Sequence, residues 1–149
     1  MSAIKMISIG RKLSNIYNEL CAPICREYGV NQTCFDILLF CANNPQNNTA
    51  RDICSIRGIK SGIASVAVET LIKDGYMKRE CDQNDRRIRR LVPTEKADPI
   101  ISEGRILQIK FSEALRCGIT PEELQSFERM INKLEKNIIS IEKTEDAHD

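Results

Sequence analysis

Four arginines fall within five positions: Arg86, Arg87, Arg89 and Arg90. They are the densest concentration of chemistry in the chain. A guanidinium is permanently charged, weakly hydrated and rich in donors, which suits it to phosphate and to the negative potential of a narrow minor groove. Asp85 stands two residues before Arg87 and can hold that side chain in place. Between residues 77 and 96 seven basic residues face four acidic ones, a local excess of three, against a net charge of +1 for all 149 residues. Protecting a strand edge from pairing takes fewer cations than this. The near-neutral total excludes a globally basic, histone-like binder, so a nucleic-acid surface has to be local.

Other reactive residues point elsewhere more weakly. The seven cysteines (Cys21, Cys25, Cys34, Cys41, Cys54, Cys81, Cys117) are an odd number with no CxxC pair, which argues against a disulfide framework or a zinc ribbon. Cys21 and Cys25 stand at i and i+4 on one helical face. They define the alternative reading, a thiol-based redox or metal-responsive sensor. Their place near a helix C-terminus disfavours a thiolate, however. The single histidine, His148, lies in a polar tail. There is no nucleophile–base pair, phosphate loop or metal cluster, so no enzyme activity, cofactor or metal is expected. Aromatics at 5% and no tryptophan argue against a base-stacking RNA platform, which needs several exposed rings. No apolar run approaches the roughly 18–20 residues of a membrane span. Lys5, Arg11 and Lys12 interrupt the N-terminus before a signal-peptide core forms, so a cytoplasmic, nucleoid-associated protein with no membrane partner is expected.

The elements that must position the arginines follow from periodicity and caps. Residues 4–27 carry Ile9, Leu13, Ile16, Leu20 and Ile24 on one helical face, and Pro23 is expected to kink or end that helix. Asn31 opens a second, nearly all-apolar helix. Thr49 caps a short third helix that ends at Gly58, and a fourth runs from about Lys60 to Lys73. On that fourth helix Ala64, Ala67, Val68 and Leu71 share one face, while Gly62, Ser65, Val66, Glu69 and Lys73 point away from it. Residues 76–81 and 88–93 are the only strand-like runs and form a hairpin around the polar turn 82–87. A long helix is expected from Thr94 to about Arg116, with Ile100, Gly104, Leu107, Phe111 and Ala114 as a stripe. Thr120-Pro-Glu-Glu123 opens the last helix, whose Leu124, Phe127, Ile131, Leu134, Ile138 and Ile141 keep a heptad pattern. The class is mainly α with one small β-hairpin.

A capped short helix, a glycine turn and a second helix free on one face make a helix-turn-helix, and the arginine-rich hairpin after it makes a wing. The free helix can enter a major groove. Small residues at Ser61, Gly62 and Ser65 permit close approach to DNA, and Lys60 with the helix N-terminus suits a phosphate. Thr49, Val66 and Glu69 complete the set expected at DNA on the helices, and Asp85, Arg86, Arg87 and Arg89 the set on the wing.

The stretch Asp85-Arg-Arg87 followed by Ile88-Arg-Arg-Leu-Val-Pro-Thr94-Glu-Lys-Ala97 resembles the wing signature of the MarR/SlyA family of bacterial winged-helix regulators. Leu20-x-x-Pro23, Tyr28-Gly29-Val30, the segment 118–123 and Lys133-Leu-Glu-Lys-Asn137 extend the likeness over nearly the whole chain. The resemblance implies a transcriptional regulator that binds a pseudo-palindromic double-stranded DNA operator as a homodimer, typically a repressor released by a small-molecule effector. It also implies that Arg87 is the minor-groove arginine of the wing and Asp85 its partner. The chain departs from the family pattern at Ile63 and Val66, where many members carry Thr and Arg, and at Pro93, where Leu is usual.

On this reading residues 1–30 and 94–149 supply dimerisation helices around a winged helix-turn-helix at 31–93. The stripes at the chain ends are left over once the winged lobe has buried its own face, and a two-fold interface would cover them. Ile9, Leu13, Ile16, Phe111, Leu124, Phe127, Ile131, Leu134 and Ile138 are the residues expected there.

Overall fold

The computed structural model describes residues 2–145, with side chains through Ile141. His148 and the rest of the tail from residue 146 lie outside the described residues. The elements follow in the order α1 (Ala3–Tyr28), α2 (Gln32–Asn43), α3 (Ala50–Arg57), α4 (Ser61–Lys73), β1 (Met77–Cys81), β2 (Arg89–Pro93), a 3-10 turn (Glu95–Ala97), α5 (Asp98–Arg116) and α6 (Pro121–Glu145). No described helix is long and apolar enough to cross a membrane. The chain divides into two compact units, one reaching to Phe111 and one starting at Ser112.

In the first unit α2 is the central rod. Phe35, Ile37, Leu38 and Leu39 on it are fully buried, and Ile53, Leu71, Met77, Leu91 and Ile100 close around them. Caps fix where the helices begin. Asn31 Oδ1 accepts from the Cys34 backbone N–H at 2.8 Å. Thr49 Oγ1 accepts from the Asp52 N–H at 3.2 Å while the Asp52 carboxylate accepts from the Thr49 N–H at 2.9 Å, a reciprocal capping box. Gly58 ends α3 at φ +68°, a conformation open to glycine at little cost, and this makes the turn into α4.

The two strands pair antiparallel from Met77↔Pro93 to Cys81↔Arg89. Two strands alone are marginal in water, so the hairpin leans on its neighbours. Leu91 N–H donates to the Asn48 carbonyl at 2.8 Å, which ties β2 to the α2–α3 loop. Side-chain hydrogen bonds tie α1 to α5: Tyr28 Oη donates to Glu103 at 2.6 Å, and Gln108 Nε2 donates to Tyr17 Oη at 3.0 Å.

Three sequence expectations need correction. Proline at position 23 does not end α1, which runs on to Tyr28. Pro23 removes one hydrogen bond of the ladder, but Cys21, Ile24 and Cys25 on either side of it are anchored in the core. The long helix begins not at Thr94 but at Asp98, after the 3-10 turn, which puts Pro99 in its first turn where a missing N–H costs nothing. The apolar stripe of α5 is not all left over for a partner. Ile100 is fully buried, and Gly104 lies against Leu39 and Phe35. Phe111 stacks obliquely on Tyr17 of its own chain, ring centres 5.4 Å apart.

In the second unit α6 opens with another reciprocal cap: Thr120 N–H donates to Glu123 Oε2 at 2.9 Å, and Glu123 N–H to Thr120 Oγ1 at 3.2 Å. Phe127, Met130, Ile131 and Ile138 on this helix are exposed. Gly118, Ile119, Phe127 and Met130 line an apolar hollow of about 560 Å³.

Candidate nucleic-acid interface

The turn between the strands is built by two aspartates. Asp82 Oδ1 accepts the N–H groups of Asn84 and Asp85 at 2.8 and 3.1 Å, and the Asp82 N–H donates to the Ile88 carbonyl at 3.0 Å. These donors, together with Arg90, hold the Asp82 carboxyl below its ordinary range. Asp85 then grips Arg87: Nε donates to Oδ1 and Nη2 to Oδ2, both at 3.1 Å, and the Arg87 backbone N–H donates to Oδ1 at 2.9 Å. The Arg87 side chain is 91% exposed, so a fixed cation projects from the tip of the wing into solvent. The guanidinium beside Asp85 also lowers that carboxyl's pKa, so the grip is fully charged at neutral pH.

The four arginines divide by role. Arg86, Arg87 and Arg89 are exposed. Arg89 donates from Nη1 to the thiol of Cys81, its partner across the hairpin. Arg90 turns inward instead. Its Nε donates to Asp82 Oδ2 at 2.8 Å and its Nη1 to the Gln46 carbonyl at 2.7 Å and to Asn48 Oδ1 at 3.3 Å. Asn48 is only 5% exposed. Arg90 therefore clamps the base of the wing to the α2–α3 loop.

α4 presents the surface expected of it. Ser61, Gly62, Ser65, Val66 and Glu69 are exposed, as is Lys60 before them, while Ala64, Ala67, Val68 and Leu71 are buried. No side chain caps the N-terminus of α4, so its first N–H groups face outward, where a phosphate would be favoured. Glu69 is bound by Arg79 of β1, which lowers its carboxyl pKa and joins the wing to the helix. The Thr49 hydroxyl is engaged in the α3 cap, donating to Asp52 at 2.7 Å.

The fold brings Ser61, Ser65 and Arg89 together around one hollow of about 420 Å³ between α3, α4 and the hairpin. Arg51 and Arg79 line the same hollow, and sequence reasoning had not placed either of them at the site. The sequence did carry one signal for Arg51, a basic residue in the first turn after the Thr49 cap and on the exposed side of α3.

The sensor alternative built on Cys21 and Cys25 finds no support. Both are buried, and burial raises both thiols above their ordinary value, Cys25 to about 11. A reactive thiol needs the opposite environment, exposed and electropositive. Among the described residues no group of three or more His, Cys, Asp or Glu is placed to hold a metal ion.

Comparison with known proteins gives the same picture. The sequence profile of the MarR family matches residues 28–88, from the end of α1 to the tip of the wing. A MarR protein from Peptoclostridium difficile superposes with a TM-score of 0.75 at 22% identity, covering 93% of this chain and 89% of that one. A MarR-family transcriptional regulator from Listeria monocytogenes, solved in complex with a 26mer DNA, gives 0.76 at 22% identity with the same coverage. The S. aureus MepR–DNA complex gives 0.73 at 13% identity, covering 87% of this chain and 94% of that one. At these identities the structural likeness is one of fold.

Proposed function

We propose that the chain, whose residues 28–88 match the MarR family of transcription regulators, is a homodimeric repressor of that family. It binds a pseudo-palindromic operator in double-stranded DNA and is released by a small-molecule effector. It works as a regulator and not as an enzyme, as the family does, and its place of action is the cytoplasm, on the nucleoid.

The observation that carries the reading is the Asp85–Arg87 grip at the tip of a hairpin that directly follows a helix-turn-helix. A cation held at two points and left 91% exposed is prepared for an anionic partner that supplies the remaining contacts. In this reading α4 enters the major groove with Ser61, Gly62, Ser65 and Val66 leading. Lys60, Arg86 and Arg89 meet phosphates, and Arg87 enters the adjacent minor groove. Glu69 and Thr49 serve by holding Arg79 and the start of α3 rather than by touching DNA.

Support for a second copy comes from both chain ends. Ile9, Leu13 and Ile16 on α1 and Phe127, Ile131 and Ile138 on α6 are exposed apolar side chains in a single chain. Leu124 and Leu134 sit half-buried on α6, and Phe111 keeps part of its ring uncovered. Isolated apolar residues on a surface are ordinary, but repeated stripes of this kind mark an interface. Two copies place two wings on one duplex, with half-site centres about 34–36 Å apart.

The test is titration of duplex DNA with the purified chain over a salt series, alongside sedimentation at micromolar concentration. A dimer is expected, with an affinity that falls steeply as salt rises. Failure to bind any duplex in dilute buffer overturns the assignment. A single-copy species throughout overturns the dimer.

A further inference from the structure

We infer that α4 recognises thymine by its C5-methyl group, through Ile63 and Val66, and that the operator half-site is accordingly selected for A·T pairs read from the major groove. This rests on the reading of α4 as the groove-entering helix. It goes further by naming the chemistry that α4 reads.

The argument starts from what α4 lacks. Its sequence, SGIASVAVETLIK, holds no Arg, Asn or Gln, the side chains that make two-point contacts to guanine or adenine edges. Of its polar residues, Glu69 is taken by Arg79. Thr70 donates its hydroxyl back to the Val66 carbonyl at 2.9 Å. Lys73 lies in the last turn, far from the end that leads into a groove. The hydroxyls of Ser61 and Ser65 remain, and a hydroxyl can bond to any base and so discriminates weakly.

What α4 offers in place of polar readers is apolar surface. Val66 is 69% exposed and Ile63 53% exposed, although the opposite side of the same helix is packed into the core. The two stand at i and i+3, hence side by side. With Gly62 and Thr70 they line a hollow of about 290 Å³ that reaches Thr33 and Asn31 near the start of α2. Gly62 has no heavy atom within 4 Å of where a Cβ would sit, so the backbone beside Val66 can come close to a base edge. Both aliphatic side chains are β-branched and stiff, so little rotamer freedom is lost when they press on a flat partner. In the major groove the apolar feature a base pair presents is the thymine methyl.

The experiment uses the full chain and duplexes enriched by it from a random pool. Each thymine of the selected half-site is replaced in turn by deoxyuridine, which removes the methyl and keeps the hydrogen-bonding edges. Affinity is expected to fall about three- to fourfold at one or two thymines per half-site, the worth of one buried methyl. Val66→Ala or Ile63→Ala should erase the loss at the thymine each one covers. Both positions are exposed, and the uracil duplexes leave the protein itself unchanged. Unchanged affinity after every uracil replacement, with the selected duplex still bound, overturns the thymine reading and leaves DNA binding intact. A uracil penalty undiminished in both variants overturns the assignment to Ile63 and Val66. A pool in which no sequence is enriched overturns the reading of α4 as a base-reading helix.

Discussion

Asp85 holds Arg87 through both carboxylate oxygens, with Nε and Nη2 each 3.1 Å away, and leaves the cation almost wholly in solvent. An acid beside a DNA-binding arginine repels phosphate, so on charge alone its loss should tighten binding. The geometry gives the opposite sign. Asp85→Ala frees a long side chain that must then be ordered on binding, and DNA affinity is expected to drop about two- to tenfold. Arg87→Ala should lower affinity across sequences and make the salt dependence shallower by about one unit of slope. Fluorescence anisotropy over a salt series checks both. Tighter binding by Asp85→Ala would show that the carboxylate is only a screen.

Arg90 and Arg86 are four residues apart but should fail differently. Arg90→Ala unpins the hairpin from Gln46, Asn48 and Asp82, so the melting temperature is expected to fall by about 3–6 °C. Arg86→Ala removes an exposed charge, which should leave melting unchanged within about 1 °C and weaken DNA binding. Thermal unfolding and binding measured on the same two variants separate the roles. The expectation fails if Arg86→Ala is the one that melts early.

Gly104 sits where a Cβ would lie 2.7 Å and 2.8 Å from the two terminal methyls of Leu39 and 3.0 Å from the Phe35 ring. A helix interior normally gains by losing a glycine. Here Gly104→Val should destabilise by about 1–3 kcal/mol, because the core has to open to admit the side chain. Denaturant unfolding is the measurement, and a stabilised variant would mean that α5 packs less tightly than observed.

Much of this was legible in the sequence because it was local. The caps at Asn31, Thr49 and Thr120 bond to residues three positions on, and Asp85 reaches Arg87 over two, so spacing alone revealed them. What escaped depends on partners far along the chain. Arg90 looks like a fourth surface cation until Asn48, 42 residues earlier, is seen to receive it. Gly104 looks like part of a free stripe until Phe35 and Leu39 arrive from α2. Arg79 looks like one more charge on a strand until Glu69 on α4 is seen to pair with it. Of the two outcomes expected at Pro23, a kink or an end, the end does not occur, since helix propensity is local and the core anchors on either side of it are not.

The cysteines give a chemical check on burial. Burial raises Cys25 to about 11, and Cys21, Cys34 and Cys41 also lie above their ordinary value, so all four are protonated at pH 8. Iodoacetamide at that pH should modify Cys81 in the native protein and leave these four unlabelled until denaturant is added. Peptide mass mapping reads the result. Native labelling of Cys21 or Cys25 ahead of Cys81 would restore the thiol-sensor alternative.

The two clamps on the hairpin, Arg90 to the α2–α3 loop and Arg79 to Glu69 on α4, have a mechanical consequence. Fastened at both sides, the arginine tip and the helix behave as the two jaws of a caliper locked at one setting. On the proposed reading, each winged lobe measures a single fixed stretch of duplex, and an effector that releases it has to shift whole lobes rather than reset the jaws within one.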